Sequence, residues 1–214
     1  MPGEFSPYLV ATPLVTLMFA FYGRVMPFGA LGYVGGALAG FVWSLVAGVV
    51  SSWLSQDATI AALSADAVLF ACVIVAGSLV GGGVLYLLLF WSVLREPSTT
   101  YAALSALMRP TVPFFIALNS AMEVLFVPLV VFLNWNTDAR RRWIIVIAAG
   151  IYVVHRAWTY LVYAERRLAT GTSPLSKADV EWYTRTLATD YRVVLNAIIF
   201  ALFTAAAFLN SAPH

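Results

Sequence analysis

The chain has 214 residues, 62% of them hydrophobic and 10% charged, with a formal net charge of +2 and a mean hydropathy of +0.87. Soluble domains carry about 25% charged residues, so this composition excludes a water-soluble globule, and the near balance of charge leaves no basic field for nucleic acid. The lone cysteine, Cys72, excludes an intramolecular disulfide and a CxxC metal or redox motif. What remains is an all-α integral membrane protein, a bundle of five to six transmembrane helices, since one span takes roughly 20 apolar residues.

Six apolar segments stand between the charge clusters. The first, residues 8–23, contains Pro13 and is ended by Gly23, Arg24 and Pro27. Its rise of about 24 Å is short for a hydrocarbon core. It is expected to be a thinned or tilted span, or a helix lying in the interface. Glu4 stands where a signal peptide would carry a basic region, so a signal peptide is not expected. The remaining segments are residues 28–53, 65–94, 113–133, 143–163 and 191–209. Trp53, Trp91, Trp135, Trp143 and Trp182 fall at or just outside segment ends, where indole rings favour the headgroup level.

With both termini outward, Arg24, Arg95, Arg109, Arg166, Arg167, Lys177 and Arg185 fall on the cytoplasmic or matrix-like side. Arg140, Arg141 and Arg142 fall on the other, a count of seven against three. The host is a bacterial plasma membrane or an organellar inner membrane. Two loops carry structure of their own. Pro97, Ser98 and Thr99 precede a short helix expected to stop at Arg109-Pro110. Beyond a polar stretch with Gly171, Ser173 and Pro174, Ser176 and Asp179 form a capping-box-like start. That helix is expected to run through Trp182 and Arg192 into the last span. No repeat of 20 to 50 residues and no similarity between halves is visible, so an inverted-repeat transporter has no support.

In the second segment Gly32, Gly36, Gly40, Ser44, Gly48 and Ser52 recur every fourth residue and share one helix face. Such smooth faces let helices approach closely in lipid. Gly77, Ser78, Gly81 and Gly82 make a matching strip on the third segment, so these two helices are expected to pair antiparallel. The alternative is a homo-oligomer or partner-subunit face through Gly32, Gly36, Gly40 and Gly48. The chain divides into N-terminal membrane segments, 1–64, and a four-helix transmembrane bundle, 65–214.

Glu123, His155 and Arg156 are the strongly ionisable residues deep in the spans. Glu123 and Arg156 lie at similar depth on successive antiparallel helices, and an unpaired charge there costs about 2.5–3.5 kcal/mol or more. An ion pair between them is therefore expected. Asn119 shares a face with Glu123, while Tyr152, His155, Arg156, Thr159, Tyr160 and Tyr163 form a polar-aromatic flank on the fifth span. Arg192, Asn196 and Thr204 add a sparser line on the sixth. Together these residues line a wet or ligand-filled cavity, or alternatively serve as a structural pin that sets which faces meet. With His214 the only other histidine, a bis-histidine haem is excluded. No metal site is expected either.

From about Ala65 onward the layout resembles the anthrone-oxygenase-like family of small membrane proteins. The resemblance rests on a Gly-rich span, residues 76–94, leading into a polar turn and short helix. Arg109-Pro110-Thr111-Val112-Pro113 then opens a span with Asn119, and Glu165, Arg166 and Arg167 follow the fifth span. Trp182 precedes Arg192-Val193-Val194-Leu195-Asn196. The stretch before Arg192 reads Ala188-Thr189-Asp190-Tyr191, where family members often carry a histidine. The resemblance implies cofactor-independent oxygenation of an anthrone-like polycyclic phenol to a quinone. Under it Glu123 or His155 is the base, Arg156, Asn119 and Tyr152 hold the oxyanion, and Thr159, Arg192 and Asn196 complete the substrate site. Two other readings stay open: an accessory or assembly subunit of a respiratory or photosynthetic complex, and a small transporter using Glu123 as a proton or cation site.

Overall fold

In hydrocarbon every backbone N–H must find its partner within its own segment, so unbroken apolar stretches become helices. The computed structural model describes residues 6–23, 28–96, 100–163 and 176–209. Over these it forms α1 (Tyr8–Gly23), α2 (Ala30–Leu54), α3 (Ala58–Leu94), α4 (Tyr101–Ala121), α5 (Val127–Leu133), α6 (Ala139–Trp158), α7 (Lys177–Ala188) and α8 (Arg192–Ala207). A π-helical turn, Met122–Phe126, joins α4 to α5, and a second, Thr159–Tyr163, extends α6. The stretches Ala30–Leu54, Ala58–Leu94, Pro113–Leu133 and Ala139–Leu161 are long and apolar enough to cross a membrane, and α1 and α8 are shorter apolar helices. The architecture is an all-α membrane helical bundle.

The glycine face of α2 meets α1, not α3. A Cβ added at Gly36 would strike the Phe19 carbonyl, one at Gly23 the Gly32 carbonyl, and one at Gly48 the Tyr8 ring. The expected pairing of the second and third segments is thereby corrected. The helix nearest in sequence on the N-terminal side already fills the smooth face, and α2 touches α3 only slightly. The glycines of α3 serve other neighbours: Gly77 and Gly83 lie against Phe200 and Val193 of α8, and Gly82 against Phe114 of α4. The tightly packed α1–α2 hairpin rests on α5 and α6, while α8 packs on both α3 and α6.

Three boundaries differ from expectation. Helix α3 starts at Ala58, because the Asp57 carboxylate accepts from the N–H groups of Thr59 (2.8 Å) and Ile60 (3.0 Å) and caps it there. Helix α4 runs from Tyr101 past Arg109 and Pro110 instead of stopping at them. Its start is capped by Thr100, whose hydroxyl accepts from the Ala103 N–H at 3.2 Å. A proline costs a helix one donor, which membrane helices tolerate. Third, α7 does not continue into α8. The chain breaks at 189–191, where the Asp190 carboxylate accepts from the Arg192 backbone N–H (3.1 Å) and, in a fork, from its guanidinium (2.8 and 2.6 Å). Residues 97–99, 164–175 and 210–214, with Arg24, lie outside the described residues, as does the Asp179 side chain.

Two of the arginines on the dissenting side of the charge count are occupied structurally. Arg141 is 1% exposed. It donates to Asn134 Oδ1 (2.8 Å), the Leu209 carbonyl (2.9 Å) and Asp66 Oδ1 (2.6 Å), tying together the ends of α3, α5, α6 and α8. Arg142 donates to the Trp135 carbonyl at 2.9 Å and lies over the Trp135 ring at 5.3 Å. Trp135 is accordingly a buried core residue rather than an interfacial one, whereas Trp53, Trp143 and Trp182 are exposed.

Candidate functional site

Proline at position 128 offers no N–H to the turn before it, so a carbonyl in the Met122–Phe126 turn loses its helical partner. The Trp43 indole N–H of α2 donates to that carbonyl, Val124 O, at 2.5 Å. Here the helix is wound as a π turn, with the Val127 N–H bonded to the Met122 carbonyl. A π turn inserts one extra residue and re-aims the side chains it carries. Glu123 sits in it, 4% exposed.

Glu123 is turned onto Arg156 of α6. Arg156 Nε donates to Glu123 Oε1, and Arg156 Nη2 donates to the Tyr160 hydroxyl. The Tyr160 hydroxyl in turn faces both carboxylate oxygens, at 3.2 and 3.4 Å. Tyr160 stands on the second π turn, one helical turn after Arg156, with the guanidinium over its ring at 4.5 Å. The expected ion pair is present, and it is a triad with Tyr160. Two of the five guanidinium N–H bonds are used, leaving three.

Beside the triad, the Tyr152 hydroxyl donates to Asn119, whose carbonyl and Oδ1 lie at 3.1 and 3.2 Å. Asn119 Nδ2 donates to the Phe115 carbonyl at 2.8 Å. His155 stacks on Tyr152 with ring centroids 5.7 Å apart. It is buried, and its Nδ1 has no hydrogen-bond partner. Asn196 Oδ1 on α8 is likewise buried without a partner. The Thr159 hydroxyl donates back to the His155 carbonyl at 2.9 Å.

These groups surround a cavity of about 440 Å³. Its polar wall is Asn119, His155, Arg156, Thr159, Tyr160, Asp190, Arg192 and Asn196, and its apolar wall includes Leu79, Tyr86, Phe115, Ile116 and Val193. The volume falls in the range of small-molecule sites, roughly 300–1,000 Å³. Seven of the residues expected to line a cavity therefore line one space: Asn119, His155, Arg156, Thr159, Tyr160, Arg192 and Asn196. Glu123 and Tyr152 do not; they stand behind the wall and hold Arg156 and Asn119. Thr204, also expected on this line, is not among the lining residues.

Sequence reasoning missed Tyr22, which reaches the cavity from α1 and meets Tyr160 edge-on with ring centroids 6.0 Å apart. Nothing in its neighbourhood signalled this, since the contact depends on how the hairpin docks. It also missed Asp190, the partner of Arg192. Among the described residues no three His, Cys, Asp or Glu side chains gather to hold a metal ion. Comparison with protein-family models, with curated proteins and with solved structures returned no match.

Proposed function

We propose that this protein is a multi-pass membrane oxygenase of the anthrone-oxygenase type, which uses O₂ without a cofactor to convert a hydrophobic polycyclic phenol to a quinone. The observation that carries the reading is the cavity, whose wall brings His155 and the Arg156 guanidinium together with apolar side chains such as Leu79, Phe115 and Ile116. The substrate needs a base for an acidic ring C–H and a cation or donor for the oxygen on which the charge collects. His155 is the base. The three remaining N–H bonds of Arg156 hold the oxyanion, and Arg192 and Asn196 bound the ring system. Glu123 fixes Arg156 rather than taking the proton, because both its oxygens are engaged by Arg156 and Tyr160.

The carbanion reacts with O₂ at the ring carbon to give a peroxide. One oxygen atom remains as the new carbonyl. The other leaves as water with the two hydrogens of that carbon. In this reading α1, α2, α3, α4–α5, α6 and α8 cross the bilayer alternately, with both chain ends on the outer side.

The test is oxygen uptake by the purified protein with a panel of polycyclic phenols, in the wild type and in His155→Ala. Uptake should fall at least about 100-fold in the variant, as for loss of a general base. Absence of uptake in the wild type, or its survival in the variant, sinks the reading. An accessory-subunit role is the second reading, favoured by the mutual satisfaction of Glu123, Arg156 and Tyr160, which needs no ligand. Co-migration with other membrane subunits in mild detergent would support it.

A further inference from the structure

The walls of the cavity differ in how they face the surroundings. His155 is 2% exposed, Asn196 6%, Asn119 7% and Arg156 7%, whereas Ile116 is 60% and Tyr22 44% exposed. These four polar groups are shut in, and the most exposed lining side chains are an isoleucine of α4 and a tyrosine of α1. The cause lies in α4, which packs extensively on α3 alone among the other helices, while α5, beyond the π turn, returns to α2, α3 and α6. The turn that aims Glu123 also lets α4 stand away from α6 and α8, and the space left is the cavity. The Asp190 side chain, 4% exposed, closes on Arg192.

The geometry points to a lateral portal: a planar apolar ligand dissolved in the bilayer reaches the cavity sideways, past Ile116 and Tyr22, rather than from water past Asp190 and Arg192. The ligand class rests on the proposed oxygenase reading; the route does not. An apolar ring system concentrates in lipid, so its shortest path to the buried guanidinium crosses no polar surface.

The test uses the full chain in lipid nanodiscs, with 1-hydroxypyrene as the fluorescent phenol probe. A bulky maleimide is coupled to Ile116→Cys, to Tyr22→Cys, or to Ile147→Cys, which is exposed on α6 away from the cavity. Cys72 is fully buried and stays unlabelled. The expected result is probe association slowed at least tenfold by label at 116 or 22 and unchanged by label at 147. Equal rates in all three overturn the portal. If the unlabelled protein binds no phenol, the substrate reading fails by itself. The route is then decided by a bimane on Ser120→Cys, a half-buried cavity residue. Quenching by brominated acyl chains supports the portal, and quenching by aqueous iodide overturns it.

Discussion

Replacing Glu123 by glutamine would leave the Arg156 guanidinium buried without its counter-charge. Breaking one side of a buried pair costs about 3–5 kcal/mol, while removing both sides often costs little. Glu123→Gln should therefore lower the thermal midpoint in mild detergent markedly, and the double variant Glu123→Gln/Arg156→Met should recover most of the loss. Tyr160→Phe, which removes one hydroxyl from the triad, should cost about 1 kcal/mol. His155→Ala should lower the midpoint by the packing it removes against Tyr152, about 2 kcal/mol as for other buried large-to-small changes, with no hydrogen bond lost at Nδ1. The Glu123–Arg156 pair was legible in the sequence because depth along two antiparallel helices is simple arithmetic. The division of labour between them and His155 was not. It depends on which side chain ends in the cavity wall and which behind it, and one extra residue in a π turn decides that.

At the level of elements, the glycine face was legible and its partner was not. Spacing places Gly32, Gly36, Gly40 and Gly48 on one side of α2, yet nothing in the spacing distinguishes a preceding helix from a following one. The tight approach gives a sharp test. Gly36→Ala pushes a methyl group into the Phe19 carbonyl, whereas an added Cβ at Gly35 meets no atom within 4 Å. Gly36→Ala should destabilise by about 1–3 kcal/mol, as overpacking does, and Gly35→Ala should leave the unfolding midpoint in place. The same reasoning applies to the Trp43–Val124 bond between α2 and the π turn. Trp43→Phe orphans a carbonyl that Pro128 cannot serve and should cost about 1–3 kcal/mol, measured by the same unfolding scan. Pro128 lacks a donor by its residue type alone. The tryptophan that compensates for it lies 81 positions upstream of the carbonyl it serves and could be found only in the fold.

At the scale of the whole molecule, the Glu123–Arg156–Tyr160 triad deep in the spans and the Arg141 knot at the helix ends both pin a largely apolar bundle. The Arg141 knot gathers the ends of four helices, and its partners differ in exposure: the Asp66 side chain is 52% exposed and that of Arg141 1%. Water screens the carboxylate side of the pair, so Asp66→Asn should shift the midpoint far less than Arg141→Met, which strips Asn134 and the Leu209 carbonyl of their donor. The apolar segments were readable from hydropathy alone; the knot was not, because its three acceptors come from distant parts of the chain.

The splayed α4 has a thermodynamic consequence. A helix held mainly by one neighbour opens at lower free energy than helices enclosed on several sides, so its amides should exchange with deuterium faster than those of α5 and α6. A ligand in the cavity adds contacts to this helix, through Thr111, Phe115, Ile116, Asn119 and Ser120. Occupancy and local order are then linked, with stabilisation growing as RT ln(1 + [L]/Kd). Any compound that fills the site should slow exchange in residues 111–120 while leaving α2 untouched, which gives a way to recognise the natural ligand before any turnover is seen.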